Sequence, residues 1–209
     1  MQDQEQTPTE EVAPSGIDLS IKHPLEFEWT FWYDKRRLLP KGGRVRGERQ
    51  MFESNLQEIG TFGSVEDFWR YYNHMVKPSE LENNANYHLF KQGVKPMWED
   101  PANANGGKWI VQVKRSPQKT DQYWEDLVLA MIGETLEGGD EICGAVMSKR
   151  KAGDKIALWN RSSDEDKIMD LGRKLKLSLG IKEKMIYQNH ADSMRSGASY
   201  SNPDRYILT

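Results

Sequence analysis

GVKPMWEDPANANGGKW, residues 93–109, is the stretch from which the rest of the chain can be read. Trp98 is followed directly by two carboxylates, Glu99 and Asp100. A turn-forming run through Pro101, Asn103, Asn105, Gly106 and Gly107 comes next. Pro96 disfavours helix at Lys95 and the glycine pair closes the run, so Trp98 and Glu99 are expected on a loop between regular elements. An indole on a loop departs from tryptophan's usual place in the core. An aromatic face beside an ionised acceptor suits a flat ligand that carries positive charge and presents N–H donors along one edge.

Outward from this loop, Trp109, Val111 and Val113 alternate as one side of a strand running to Lys114. Upstream, Phe27, Trp29, Phe31 and Tyr33 alternate with Glu28, Thr30 and Trp32, again the period of a strand. Residues 34–49 are basic and glycine-rich and read as a loop; Phe52 and a short apolar run around Ile59 and Phe62 follow. Ser64 with Asp67 three residues on opens a helix from Val65 to about Met75, with Val65, Phe68, Trp69 and Tyr72 on one face. Thr120 or Asp121 is expected to cap a second helix carrying Trp124, Leu127, Val128, Met131 and Ile132. Residues 142–149 and 155–160 read as strands joined by RKAGD, a hairpin with glycine at its turn. Ser163 opens a third helix through Ile168, Leu171, Leu175 and Leu179, closed by Gly180. A short strand follows from Met185 to Gln188, and the chain beyond Asp192 reads as loose until Arg205. This order predicts an α+β domain with a curved antiparallel β-sheet and helices on one face. Residues 1–20, polar and acidic, read as a disordered tail ahead of a single domain over 21–209.

Composition narrows the function. The only cysteine, Cys143, cannot form an internal disulfide, which points to a reducing cytosolic or nuclear setting. No apolar run has transmembrane length, and the N-terminus lacks the pattern of a signal peptide. A net charge of −3 excludes coating nucleic acid through the overall field, so any such contact is local. The four histidines are scattered without ligand spacing. Phosphate-loop, nucleophile-elbow and zinc-protease patterns are absent, and no acidic pair suits acid–base work. Neither an enzyme nor a metal or cofactor is expected.

The seven tryptophans are a strong bias. Phe52, Trp98 and Trp159 fall where strands or loops end rather than in a helical stripe. Arg150, Lys151 and Lys155 cluster in the hairpin before Trp159, and Lys108 follows the glycine pair. Together they compose a nucleotide site. Aromatic faces stack a base, each worth about 1–3 kcal/mol; a carboxylate accepts from guanine N1–H and N2–H; cations hold phosphates. An N7-methylated base would be cationic and add about 2 kcal/mol of cation–π energy when desolvated. The competing reading makes Trp98 and Trp159 core residues, Glu99 a turn acceptor, and Arg150 and Lys155 a solvated hairpin.

The segments HPLEFEWTFWYDKR, GSVEDFWRYYNHM, LFKQGVKPMWEDPANANGGKWIVQVK, YWEDLVLAMIGE, EICGAV and GDKIALWN resemble the eukaryotic translation initiation factor 4E family over about residues 23–192. The resemblance implies three helices on the convex face of the sheet and a messenger RNA cap bound on the concave side. Trp98 and Phe52 would stack 7-methylguanine, with the Trp98 backbone N–H on the base O6. Glu99 would take the Watson–Crick edge and Trp159 the methyl group; Arg150, Lys155 and Lys108 would hold the phosphates. Phe52 stands where most initiation-type members have Trp, and Lys108 where the family commonly has Arg, a point charge in place of a fork. The resemblance also implies a cytoplasmic monomer, with a share in the nucleus, whose outer face docks a 4G-type scaffold or a repressor carrying a Tyr-x-x-x-x-Leu-apolar motif. The matching positions are His23, Pro24, Val65, Trp69, Leu129 and Gly133. Phe52, the segment WTFWYDKR and Glu125-Asp126 after Trp124 lean toward the second class, which includes the 4E homologous protein and contains translational repressors. The tail HADSMRSGAS is closer to the initiation class.

Overall fold

The computed structural model describes residues 21–35, 48–114, 116–197 and 202–209. The expectations for residues 1–20 and for most of the basic stretch lie outside them. The described elements are β1 (Pro24–Lys35), α1 (Glu48–Asn55), β2 (Gln57–Ser64), α2 (Val65–Tyr72), β3 (Ala85–Lys91), β4 (Gly107–Val113) and α3 (Pro117–Ile132). They continue with β5 (Ile142–Ser148), β6 (Asp154–Asn160), α4 (Glu165–Ser178), β7 (Met185–Asn189), α5 (His190–Ser196) and β8 (Tyr206–Leu208). The strands form one antiparallel sheet in the order β2-β1-β3-β5-β6-β4-β7-β8. Register shifts in β1 at Phe31/Trp32 and in β5 at Ile142/Gly144 add the local bend that such irregularities bring to a curved sheet.

The two faces differ sharply. Trp29, Phe31, Leu89, Trp109, Met147 and Leu158 point to the side covered by α2, α3 and α4, where Phe68, Trp124, Leu127, Ile168 and Leu171 complete the main core. On the other side Phe90, Ile110, Cys143, Ala157 and Trp159 form a smaller cluster, with Trp98 packed against it. The expected α+β sheet backed by three helices is therefore present.

Several elements were not expected. All seven residues of β3 are buried, and its concave-side Asn86 and His88 both hydrogen-bond the Asp34 carboxylate of β1, so no polar–apolar alternation reveals it. The helices α1 and α5 are also additional; α5 occupies part of the stretch read as loose. The second helix begins at Pro117, not at Thr120 or Asp121. Thr120 instead donates to the Asp154 carboxylate, and Asp121 accepts from the backbone and hydroxyl of Ser79. The third helix is capped by Asp164, whose side chain accepts the Lys167 N–H at 3.1 Å, not by Ser163. Gly153 at φ 126° makes the expected β5–β6 turn, a conformation L side chains rarely adopt.

Candidate functional site

The loop carrying Trp98 is held open by its own side chains. Asp100 accepts the Lys95 N–H at 3.0 Å and the Ala102 N–H at 2.9 Å. Asn103, fully buried, donates to the carbonyls of Lys95 and Met97 at 2.9 and 2.8 Å. A Cβ on Gly106 would stand 1.8 Å from the Asn160 carbonyl, so only glycine lets the loop re-enter the sheet there. Asp100 is thus committed to the loop, whereas Glu99 beside it has no part in these bonds. Among the described residues nothing accepts the Trp98 N–H.

Phe52 arrives from α1. Its ring meets that of His88 edge-on, with centroids 6.3 Å apart. Glu53 and Lys95 pair at 2.7 Å, joining α1 to the Trp98 loop; both are exposed, so the bridge is worth at most about 1 kcal/mol.

Lys108 and Trp159 lie opposite each other across β4 and β6. The Lys108 ammonium sits 5.9 Å from the rings of both Trp98 and Trp159. It is only 4 % exposed, and among the described residues no carboxylate lies within ion-pair distance. Burial and the charge of Lys155 push its pKa down to about 8. Lys155 is lowered in turn by burial and by Arg150. The Arg150 guanidinium donates to Asn86 Oδ1 at 2.8 Å and to the Lys149 carbonyl at 2.7 Å. Lys155 thus links a chain of repelling cations, acting on Lys108 and acted on by Arg150, an arrangement that anionic oxygens relieve.

Trp159 is buried between the edge of Phe90, at 5.3 Å, and the ring of His190, at 4.0 Å; its Nε1–H has no acceptor among the described residues. Burial and Lys108 hold the His190 imidazole well below the usual histidine range. Unfolding exposes it to protonation, so its contribution is present above the unfolded pKa of about 6.5 and lost as pH falls. His190→Phe is expected to flatten the fall in melting temperature between about pH 6.5 and 5; an unchanged acid limb in thermal scans would contradict this.

On the helix side, the backbone N–H of Val65 donates to the His23 carbonyl at 3.0 Å, and Glu66 accepts from the His23 N–H at 2.9 Å. Pro24 pairs with Ser64 at the start of β1. Val65 is exposed, and Trp69, one turn on, is half-buried, edge-on to Phe68 at 4.9 Å and to Tyr72 at 5.8 Å. Leu129 is half-buried on α3, and its carbonyl accepts the N–H of exposed Gly133 at 2.9 Å.

Comparison with known proteins decides the family to which this fold belongs. The family model for eukaryotic initiation factor 4E matches residues 24–204. The chain belongs to the eukaryotic initiation factor 4E family. Among its relatives, the translation initiation factor isoform 4E of Arachis hypogaea is 42 % identical over 183 residues, covering 87 % of this chain and 86 % of the other. A solved complex of C. elegans eIF4E-3 with the 4E-binding protein Mextli and a cap analogue superposes with a TM-score of 0.76 at 37 % identity, covering 90 % of this chain and all of that one. Ascaris suum eIF4E-3 with the m7G cap gives 0.76 at 36 % identity, over 90 % of this chain and 98 % of that one. The 4E family is one of translation initiation factors and not of enzymes.

In this 4E-family chain, the structure gathers Trp98, Lys108 and Trp159 at one place, with Phe52 tied to the Trp98 loop and Lys155 and Arg150 along the strands beyond. Sequence reasoning missed Asp34, Asn86, His88 and His190. Only the pairing of β1 with β3 and of β4 with β7 makes them neighbours of the site, and no local signal marks them. Among the described residues there is no group that could hold a metal ion, and no helix is long and apolar enough to cross a membrane.

Proposed function

We propose that this protein binds the 7-methylguanosine 5′ cap of messenger RNA on its concave face and docks a scaffold or repressor on its helix side, so controlling translation initiation in the cytoplasm as a single domain over residues 21–209. The observation that carries this reading is Lys108, a buried cation with no carboxylate at ion-pair distance among the described residues and 5.9 Å from each of two indoles. Leaving it unpaired is costly unless a ligand brings negative charge. Phe52 and Trp98 stack the cationic purine, Glu99 accepts its N1–H and N2–H, and the Trp98 N–H donates to O6. Trp159 packs on the methyl group, and Lys108, Lys155 and Arg150 hold the phosphates. Titration with 7-methyl-GTP is expected to quench tryptophan emission saturably, and GTP to bind at least tenfold more weakly, the loss of a cation–π term of about 2 kcal/mol. An unchanged signal at saturating 7-methyl-GTP would overturn the reading.

For the outer face, Trp69→Ala is expected to weaken a Tyr-x-x-x-x-Leu-apolar peptide at least thirtyfold, as for a hot-spot residue worth about 2 kcal/mol or more. Calorimetry should find 7-methyl-GTP affinity within about twofold of the parent, because Trp69 lies on the opposite side of the sheet. Loss of both activities would contradict a docking role and indicate a folding defect.

Phe52 favours a second reading. A smaller ring gives a weaker cation–π face than Trp, as in a class-two repressor that competes for the cap. Comparing scaffold and repressor peptides separates the two: preference for the scaffold peptide supports an initiation factor, and preference for the other supports a repressor.

A further inference from the structure

Beneath the concave face lies a polar chain that neither the resemblance nor the fold requires. Asp34 on β1 and Asn86 and His88 on β3 are 2, 7 and 3 % exposed. The Asp34 carboxylate accepts from Asn86 Nδ2 at 3.0 and 2.8 Å, and His88 Nε2 lies 2.6 Å from its Oδ2. Asn86 then has its carbonyl oxygen left to accept from the Arg150 guanidinium at 2.8 Å. Flipping this amide would set oxygen against carboxylate and NH2 against guanidinium, so its orientation is fixed by its neighbours. At the other end, the His88 ring supports Phe52 edge-on at 6.3 Å. The continuous path is Phe52, His88, Asp34, Asn86, Arg150.

We propose that Asp34, Asn86 and His88 are positioning residues for ligand binding: one buried carboxylate sets both the ring that stacks the base and the guanidinium that meets the phosphates. This rests on the cap-binding reading of the concave face. Two features support a positioning role over a purely structural one. Buried polar groups of this kind are often replaceable by apolar residues at no loss of stability. This chain also ends on two side chains that the ligand would touch, one at its base and one at its phosphates. Asn86 acts on the Arg150 end and His88 on the Phe52 end, so their losses should read out differently.

The test compares affinities of each variant for 7-methyl-GTP and for 7-methylguanosine. In Asn86→Ala the advantage of the triphosphate over the nucleoside is expected to shrink at least fivefold, with nucleoside affinity within twofold of the parent. In His88→Ala both affinities are expected to fall by a common factor of about three, leaving their ratio unchanged. The exchange variant Asp34→Asn with Asn86→Asp keeps the charge, the donor–acceptor pairing and an acceptor for Arg150. It is expected to recover at least half of the triphosphate advantage, and it serves as the deciding variant if Asn86→Ala does not fold. An unchanged ratio in Asn86→Ala, or equal loss of both ligands there and in the exchange variant, would overturn the proposal. A parent that fails to bind 7-methyl-GTP would instead overturn the reading on which it rests.

Discussion

Glu99→Ala is expected to weaken 7-methyl-GTP about a hundredfold and to erase the preference for guanine over adenine nucleotides. Two N–H donors on a guanine edge meeting one carboxylate are charge-assisted bonds, each worth about 1.5–3 kcal/mol. Losing both exposes the polar edge of the base to no partner, and about 1.4 kcal/mol corresponds to a factor of ten. The neighbouring carboxylate cannot substitute, because Asp100 spends both oxygens on the N–H groups of Lys95 and Ala102. Glu99→Gln should fall between parent and Ala, since its amide keeps one acceptor but points a donor at a donor. Calorimetric titration with 7-methyl-GTP and 7-methyl-ATP measures the effect. If Glu99→Ala binds 7-methyl-GTP as the parent does, the carboxylate has no part in recognition.

Lys108→Met should move binding and stability in opposite directions. Triphosphate affinity is expected to fall at least tenfold, because a buried cation near an anion is lost. The free protein is expected to gain stability at neutral pH. The folded state holds the Lys108 pKa down to about 8, below the lysine value of 10.5. The unfolded chain therefore binds more protons between those two values, and stability rises with pH across that window. Below pH 8 the whole penalty is present, on the order of 3 kcal/mol, large against a typical total of about 5–15 kcal/mol. Methionine keeps the length and removes the charge. Urea denaturation at pH 7 should show the gain, and the gain should shrink toward pH 10. A loss of stability at pH 7 would mean that Lys108 has a partner in the fold. The same linkage predicts that, near pH 8 and above, anionic ligand binding takes up protons.

Reading the sequence succeeded where the signal was local. The alternating aromatics of β1 describe a strand because Trp29 and Phe31 go to the core while Thr30 faces away. Ser64 and Asp67 mark the start of α2 by the bonds they then form: the Ser64 side chain accepts the Asp67 N–H at 3.2 Å. The hairpin of β5 and β6 follows from its turn. The reading failed where a residue's partner is remote in sequence. β3 is hidden because Asn86 and His88 are buried by a carboxylate 52 and 54 residues away. Thr120 and Asp121 resemble helix caps, yet their side chains serve residues 34 and 42 positions distant. The same division runs through the site. Trp98, Glu99 and Lys108 share one stretch of chain and are proposed from residue type and order alone. The buried supports of Phe52 and Arg150, and the His190 ring behind Trp159, required strand register.

In the proposed binding mode a cationic purine is held between the rings of Phe52 and Trp98 while Glu99 reads its edge. A crystal structure of the protein with 7-methyl-GTP tests this most directly. The predicted result is a purine stacked between those two rings, N1 and N2 within about 3 Å of the Glu99 carboxylate, and phosphate oxygens beside Lys108, Lys155 and Arg150. Density for the nucleotide elsewhere on the surface, with Trp98 folded flat onto the Phe90–Trp159 cluster, would contradict it.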